Sequence, residues 1–233
     1  MTLAIEATGS RRSRWSSITA WDLCRWAMAI CVTIVVVFPI WWMVNVVFTE
    51  PGTPVSINPR LYPTSFAAGW DKVAMIMRET GYLHAYYMSM AYALLTIAGV
   101  LLLGSMAAFE FALFEFPGKR PLFGLIMLSL MVPTAVTIIP TYLLTAELGW
   151  INTMQGLVAP GLASAFGLFL LVEFMKGLPK EMIEAARLDG ARHFQIYWHV
   201  VLPLTRNAMV TLAILTFMKT WGNFIWPLIV LSN

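Results

Sequence analysis

Leu178-Pro179-Lys180-Glu181-Met182-Ile183-Glu184-Ala185-Ala186-Arg187-Leu188-Asp189-Gly190, continuing as Ala191-Arg192-His193-Phe194-Gln195-Ile196-Tyr197-Trp198-His199-Val200-Val201-Leu202-Pro203, is a charged island between two apolar runs. Pro179 suits a first helical turn, and Glu181 and Glu184 favour the positive end of a helix. Gly190 can adopt the left-handed conformation that stops one. A short helix is therefore predicted over about 180–189. A second begins near Ala191, with Phe194, Tyr197, Trp198 and Val201 as its apolar stripe, until Pro203 ends or kinks it. The first helix should present Met182, Ala185, Ala186 and Asp189 on one side. Two alanines make that side shallow enough for another protein to approach closely, and Glu184 and Asp189 offer charges to a partner's cations.

Outward from this island, charge is scarce. Of 233 residues, 59% are hydrophobic and 12% charged, and the mean hydropathy is +0.74. Soluble domains carry about 25% charged residues, so an ordinary soluble enzyme and a disordered chain are both excluded. Charge-free runs extend over Trp26–Thr49, Ala85–Phe109, Leu122–Ala146 and Leu148–Val172, and from Asn207 onward only Lys219 is charged. About 20 apolar helical residues cross a hydrocarbon core of roughly 30 Å, and in lipid each backbone group must be bonded internally. The chain thus reads as all-α and transmembrane. It comprises a polar tail at 1–20 and a single membrane domain at 21–233. Spans are expected at about 26–49, 85–109, 122–146, 155–175 and 207–230, with a loop at 176–206. Glu147–Thr153 reads as a short connection between antiparallel helices, and Phe116–Arg120 as a tight turn. The four prolines of 50–66 imply irregular structure. A short amphipathic helix is expected at 67–80, with Trp70, Val73, Ala74 and Met77 on its face.

Orientation follows from the cations. Eleven Lys and Arg fall in the tail, the 110–121 turn and the 176–206 loop, against three on the alternate side. The cation-rich side is cytoplasmic, so the N-terminus lies inside. Arg11-Arg12 serves to hold it there, because the apolar run that follows is too long for an export signal. Pro39, Pro133, Pro140, Pro160 and Pro227 each remove a backbone donor and are expected to bend or break their helices, either lining a path or reflecting the ordinary tolerance of membrane helices for proline. Cys24 and Cys31 suggest apolar filling. His193 and His199 stand at a poor spacing for a metal pair, and no metal site is expected. Glu110, Glu115 and Glu173 read as solvated span ends.

Glu184-Ala185-Ala186, three residues, Gly190, nine residues and Val200-Val201-Leu202-Pro203 together resemble the EAA signature of ABC-importer permeases, with Val200 in place of the more usual Ile. Phe116-Pro117-Gly118-Lys119-Arg120, Met131-Val132-Pro133, Ile138-Ile139-Pro140-Thr141-Tyr142, Leu148-Gly149-Trp150-Ile151-Asn152-Thr153 and Phe166-Gly167-Leu168-Phe169-Leu170 resemble its carbohydrate-uptake subfamily, which includes the shorter permease of maltose and glycerol-3-phosphate importers. The likeness covers about residues 26–230. It implies a type I ABC-importer permease fold in a bacterial or archaeal cytoplasmic membrane. It also implies pairing with a homologous second permease, two cytoplasmic ATPase subunits that carry ATP and Mg, and an extracytoplasmic binding protein that delivers a small carbohydrate. This chain would need no cofactor and bind no nucleic acid. Glu181, Glu184, Ala185, Ala186, Asp189 and Gly190 would form the coupling helix seated on an ATPase. The family usually has six spans where five are visible here, so the sequence ending Leu231-Ser232-Asn233 is expected to be an incomplete permease or one lacking the last helix.

The family's motif in the fifth span usually has Asn where this chain has Gly222, in Trp221-Gly222-Asn223-Phe224-Ile225-Trp226-Pro227-Leu228. Lys219 lies within that span. A charge there must face protein or water, so it either meets the solute or pairs with an acid such as Glu173 or one on the partner permease. Thr220, Trp221 and Asn223, with Thr137 and Tyr142, are candidates to stack on and hydrogen-bond a sugar, or else to pack helices together. The alternatives to a transport subunit are a membrane-embedded enzyme and a stand-alone secondary carrier. The chain shows no H-E-x-x-H, no G-x-S-x-G and no carboxylate cluster for the first, and neither alternative requires an EAA loop.

Overall fold

The structure, a computed structural model, describes residues 20–50, 62–79 and 81–231. The tail up to residue 19, and with it three of the cations that set the orientation, lies outside the described residues, as does 51–61 of the proline-rich segment. By contacts the chain divides into two compact units, Met1–Tyr82 and Leu83–Asn233.

In the first unit, α1 (Ala20–Val47) passes through Pro39 without ending, and its apolar side chains are exposed almost all round. A helix that is apolar on every side is matched to lipid. α2 (Phe66–Glu79) confirms a short helix, but a different side of it packs. Trp70, Ala74 and Met77 are exposed, and the buried residue is Gly69. Phe48 lies so close to Gly69 that a Cβ there would fall 2.1 Å from its ring. Phe66 and Trp70 flank the same ring. Lys72 donates to the carbonyls of Thr49 and Val47, placing a cation at the negative end of α1.

The second unit is built on α3 (Tyr82–Leu113), which with α1 is long and apolar enough to cross a membrane unaided. α4 (Lys119–Ser129) and α5 (Thr134–Glu147) meet at 100°, and α6 (Met154–Leu162) and α7 (Ala165–Lys176) at 44°. α8 (Lys180–Leu188) precedes α9 (His193–Leu204), which meets α10 (Arg206–Trp221) at 75°. α11 (Ile225–Val230) follows. With each bent pair counted as one span, five are available among the described residues.

Three expected spans are not single helices, 155–175 among them, which divides into α6 and α7. The run 122–146 breaks before Pro133, which has no N–H and drives its predecessor out of helical geometry. The run 207–230 ends its helix at Trp221 and restarts at Ile225. Pro227 falls in the first turn of the new helix, where its N–H would have no partner. Asn223 Oδ1 accepts from Trp226 N at 3.3 Å at that restart. Pro39 and Pro140, by contrast, sit inside continuous helices, and Pro160 lies within the last turn of α6. Proline alone did not decide where these helices break.

The larger core joins Phe109 and Phe111 of α3, Leu171 and Met175 of α7, Ile183 of α8, Ile196, Tyr197 and Val201 of α9, and Leu212 of α10. A smaller one gathers Tyr92, Leu157, Trp226 and Val230. There Trp226 Nε1 donates to the carbonyls of Gly156 and Leu157, and Asn152 N donates to Val230 O at 2.9 Å. Helices approach closely at Gly99, where a Cβ would meet Leu162 at 2.3 Å.

Candidate functional site

The charged loop is anchored from beneath. Ile183 points into the larger core, while Glu181, Met182, Glu184, Ala185, Leu188 and Asp189 face outward. Leu188 is 89% exposed, an unusual position for a large apolar side chain. Ala186 departs from expectation. It is half-buried against the core, so the open side comprises Met182, Ala185 and Asp189 without it. The stop is a Schellman turn: Ala191 N donates to Ala186 O and Gly190 N to Arg187 O, both at 3.0 Å. Gly190 supplies the required φ of +80°.

Three contacts that the sequence did not suggest tie this loop to the end of α3. His193 Nε2 meets Glu110 Oε1, and its ring lies 4.2 Å from that of Phe114 and 4.9 Å from that of Phe109. The Arg187 guanidinium stands over the Phe114 ring at 4.9 Å. Below them the hydroxyls of Ser105 and Tyr197 share a buried hydrogen bond of 2.8 Å. Tyr197 opens a π turn over Tyr197–Val201, in which Leu202 N reaches back to Tyr197 O. Pro203 explains it, because its ring crowds the carbonyl four residues earlier and it has no N–H to give. Glu110 is therefore a partner of the loop rather than only a solvated span end. Glu115 and Glu173 do lie at span ends, paired with Lys119 and Lys176 at 2.8 and 2.7 Å. The hydrogen bond and charge of Lys119 hold the Glu115 carboxyl below its ordinary range.

Elsewhere in the second unit three helix breaks converge on a cavity of about 360 Å³. Thr134 and Ala135 open α5 beside it, Ser164 stands between α6 and α7, and Asn223 lies between α10 and α11. Non-helical backbone at membrane depth is tolerated where it lines a cavity or is covered by protein. Thr137, Lys219, Thr220 and Asn223 all line it. Trp221 lines an adjoining cavity of about 420 Å³ that shares Tyr92, Thr220 and Asn223. Its ring stacks on Phe217 at 5.4 Å and meets Tyr86 edge-on. Tyr142 lines neither and packs against the smaller core. Lys219 does not pair with Glu173, which holds Lys176.

Sequence reasoning missed most of the hydroxyl lining. Thr134, Thr137 and Thr141 come to the cavity from α5, Thr96 from α3 and Thr216 from α10. The signal was present as threonine at 134, 137, 141 and 145, a stripe at helical spacing. Thr137 Oγ1 donates to Thr134 O at 3.1 Å, and Thr141 Oγ1 donates to Thr137 O at 2.7 Å. Their oxygens remain free to accept.

Comparison with known proteins follows this geometry. Residues 100–233 match the family described as binding-protein-dependent transport system inner membrane component. The chain is 32% identical over 215 residues to an sn-glycerol-3-phosphate transport system permease protein of Rhizobium meliloti, covering 88% of this chain and 75% of that one. It is 30% identical to a lactose transport system permease protein of Rhizobium radiobacter, covering 91% and 76%. Among solved structures, a chain of a bacterial ABC transporter involved in the import of the acidic polysaccharide alginate superposes with a TM-score of 0.82 at 20% identity, over 91% of this chain and 75% of that one. At that identity the likeness speaks for the fold.

Proposed function

The chain belongs to the binding-protein-dependent transport system inner membrane components, a multi-pass permease subunit of an ABC importer, and from that membership we propose how its loop and its cavity divide the work. An importer of this kind operates with a partner permease, an ATPase and a solute-binding protein. Here the second permease is a homologue, two ATPase subunits carry ATP and Mg, and the binding protein delivers a sugar or sugar-like solute from outside. The N-terminus and the 176–206 loop are cytoplasmic, in keeping with the distribution of Lys and Arg.

α8 is the coupling helix. The observation that carries this is the way Ile183 fixes it to the core while Glu181, Glu184, Ala185 and Asp189 stay outward. A helix so held can be pushed by a docked ATPase and pass the displacement into α3, α7 and α10, all members of the same core. Gly190 fixes the turn, and Ala186 seats the helix from below. The solute path runs by the cavity, through Thr137, Lys219, Thr220 and Asn223, with Trp221 at the neighbouring opening. Its threonine oxygens suit a hydroxyl-rich solute. Names of the relatives, a glycerol-3-phosphate and a lactose permease, support the carbohydrate and polyol class.

Co-expression with the cognate ATPase and partner permease tests the assignment. The expected result is a complex whose ATP hydrolysis rises when the solute-loaded binding protein is added. A chain that purifies without the ATPase, or hydrolysis indifferent to the binding protein, would overturn it.

A further inference from the structure

The cavity contains a single charge among its described lining residues, Lys219, and no carboxylate. Among the described residues Lys219 makes no hydrogen bond and no ion pair. Its surroundings are rich in hydroxyl oxygens. Thr137, Thr141 and Thr96 each spend their hydroxyl hydrogen on a backbone carbonyl of their own helix, so towards the cavity they can only accept. Asn223 accepts from Trp226 N and turns its amide toward Tyr92. The one charged donor offered to a guest is the three-hydrogen ammonium of Lys219, beside the hydroxyls of Thr134, Ser164, Thr216 and Thr220. The start of α5 adds to it. Thr134 and Ala135 lie on the cavity wall, no side chain caps that end, and its first amides lack intrahelical acceptors.

A neutral sugar would leave the ammonium without a counter-charge. A guest with hydroxyls at one end and an anion at the other satisfies both. We propose that this cavity selects an anionic polyhydroxylated solute, with Lys219 meeting its phosphate or carboxylate and the threonine oxygens its hydroxyls. This deepens the path role assigned above and rests on it.

The test reads charge preference without knowing the solute. Cys24 and Cys31 are replaced by serine and Thr137→Cys is introduced in the assembled importer in proteoliposomes. The cysteine is then modified by two methanethiosulfonate reagents of similar size, one a sulfonate anion and one a quaternary ammonium. The anionic reagent is expected to react faster relative to the cationic one. That ratio should fall about tenfold in Lys219→Met and be kept in Lys219→Arg. A ratio unmoved by Lys219→Met overturns the inference while the path role stands, as it would if an acid of the partner permease neutralises Lys219. Failure of both reagents to react overturns the path role itself, and the charge preference with it. Uptake distinguishes the anion: glucuronate and glycerol 3-phosphate serve as carboxylate and phosphate probes, lactose as the neutral one. Loss of lactose uptake as severe as that of both anions in Lys219→Met contradicts the proposal.

Discussion

The charged loop and the cavity are both polar features of an apolar chain, yet they are built in opposite ways. The loop is contiguous: its helix, its stop and its outward charges lie within residues 179–191, and local rules decide each of them. The cavity is assembled from α3, α5, α6, α10 and three helix breaks far apart in sequence. What differs physically is where the determinants sit. A helix start, a glycine stop and a charge pattern are local, whereas a cavity exists only after distant helices have packed.

That contrast is open to attack, beginning with the largest effect. Glu184→Lys reverses a charge on the outward face of α8 without touching the core. It should leave the chain inserted and reduce binding-protein-stimulated ATP hydrolysis by roughly two orders of magnitude, as loss of a desolvated charge pair does. Normal stimulation in that variant would remove Glu184 from the docking face. Thr137→Trp fills the cavity, and uptake in proteoliposomes should fall about tenfold or more while the ATPase still co-purifies, because steric rejection acts on the guest rather than on the loop. Equal loss of ATPase binding would show that the two regions are not separable.

Smaller effects probe the connection between them. Gly190→Ala meets open space, so its cost is the left-handed backbone alone, about 1–2 kcal/mol. Thermal unfolding in detergent should register it as a lower midpoint, and an unchanged midpoint would discount the turn. His193→Ala removes the contact with Glu110. Because both side chains are about half exposed, the loss in solute moved per ATP should be only about two- to threefold, in line with a partly solvated polar contact. His193→Lys offers Glu110 an ammonium donor in its place and should recover part of it.

How much was legible follows the same division. The first helix of the loop was expected at about 180–189 and occurs at Lys180–Leu188. The turn at 116–120 and the loop after Glu147 also match, with Gly118, Gly149 and Asn152 all at positive φ. The side of α8 that packs was misjudged at Ala186, because alanine carries no information about which way a short helix faces. The break at Gly222–Phe224 was hidden inside an apolar run, where hydropathy cannot distinguish one helix from two. Not every proline marked a break either, since Pro39 and Pro140 lie in unbroken helices. Of the candidate path residues, Thr137, Lys219, Thr220 and Asn223 share one cavity, and Tyr142 lies outside it, against the smaller core. The link from His193 to Glu110 spans 83 residues of sequence and had no local signal.

The central claim is that movement of the loop governs access to the cavity. The most direct measurement is the rate at which a cysteine at position 137, with Cys24 and Cys31 replaced, is modified from the external side of proteoliposomes, with and without a non-hydrolysable ATP analogue. The account predicts a rate that changes several-fold with nucleotide in the otherwise native loop and does not change when Glu184→Lys is added. A rate indifferent to nucleotide, or a nucleotide effect that survives Glu184→Lys, would contradict it.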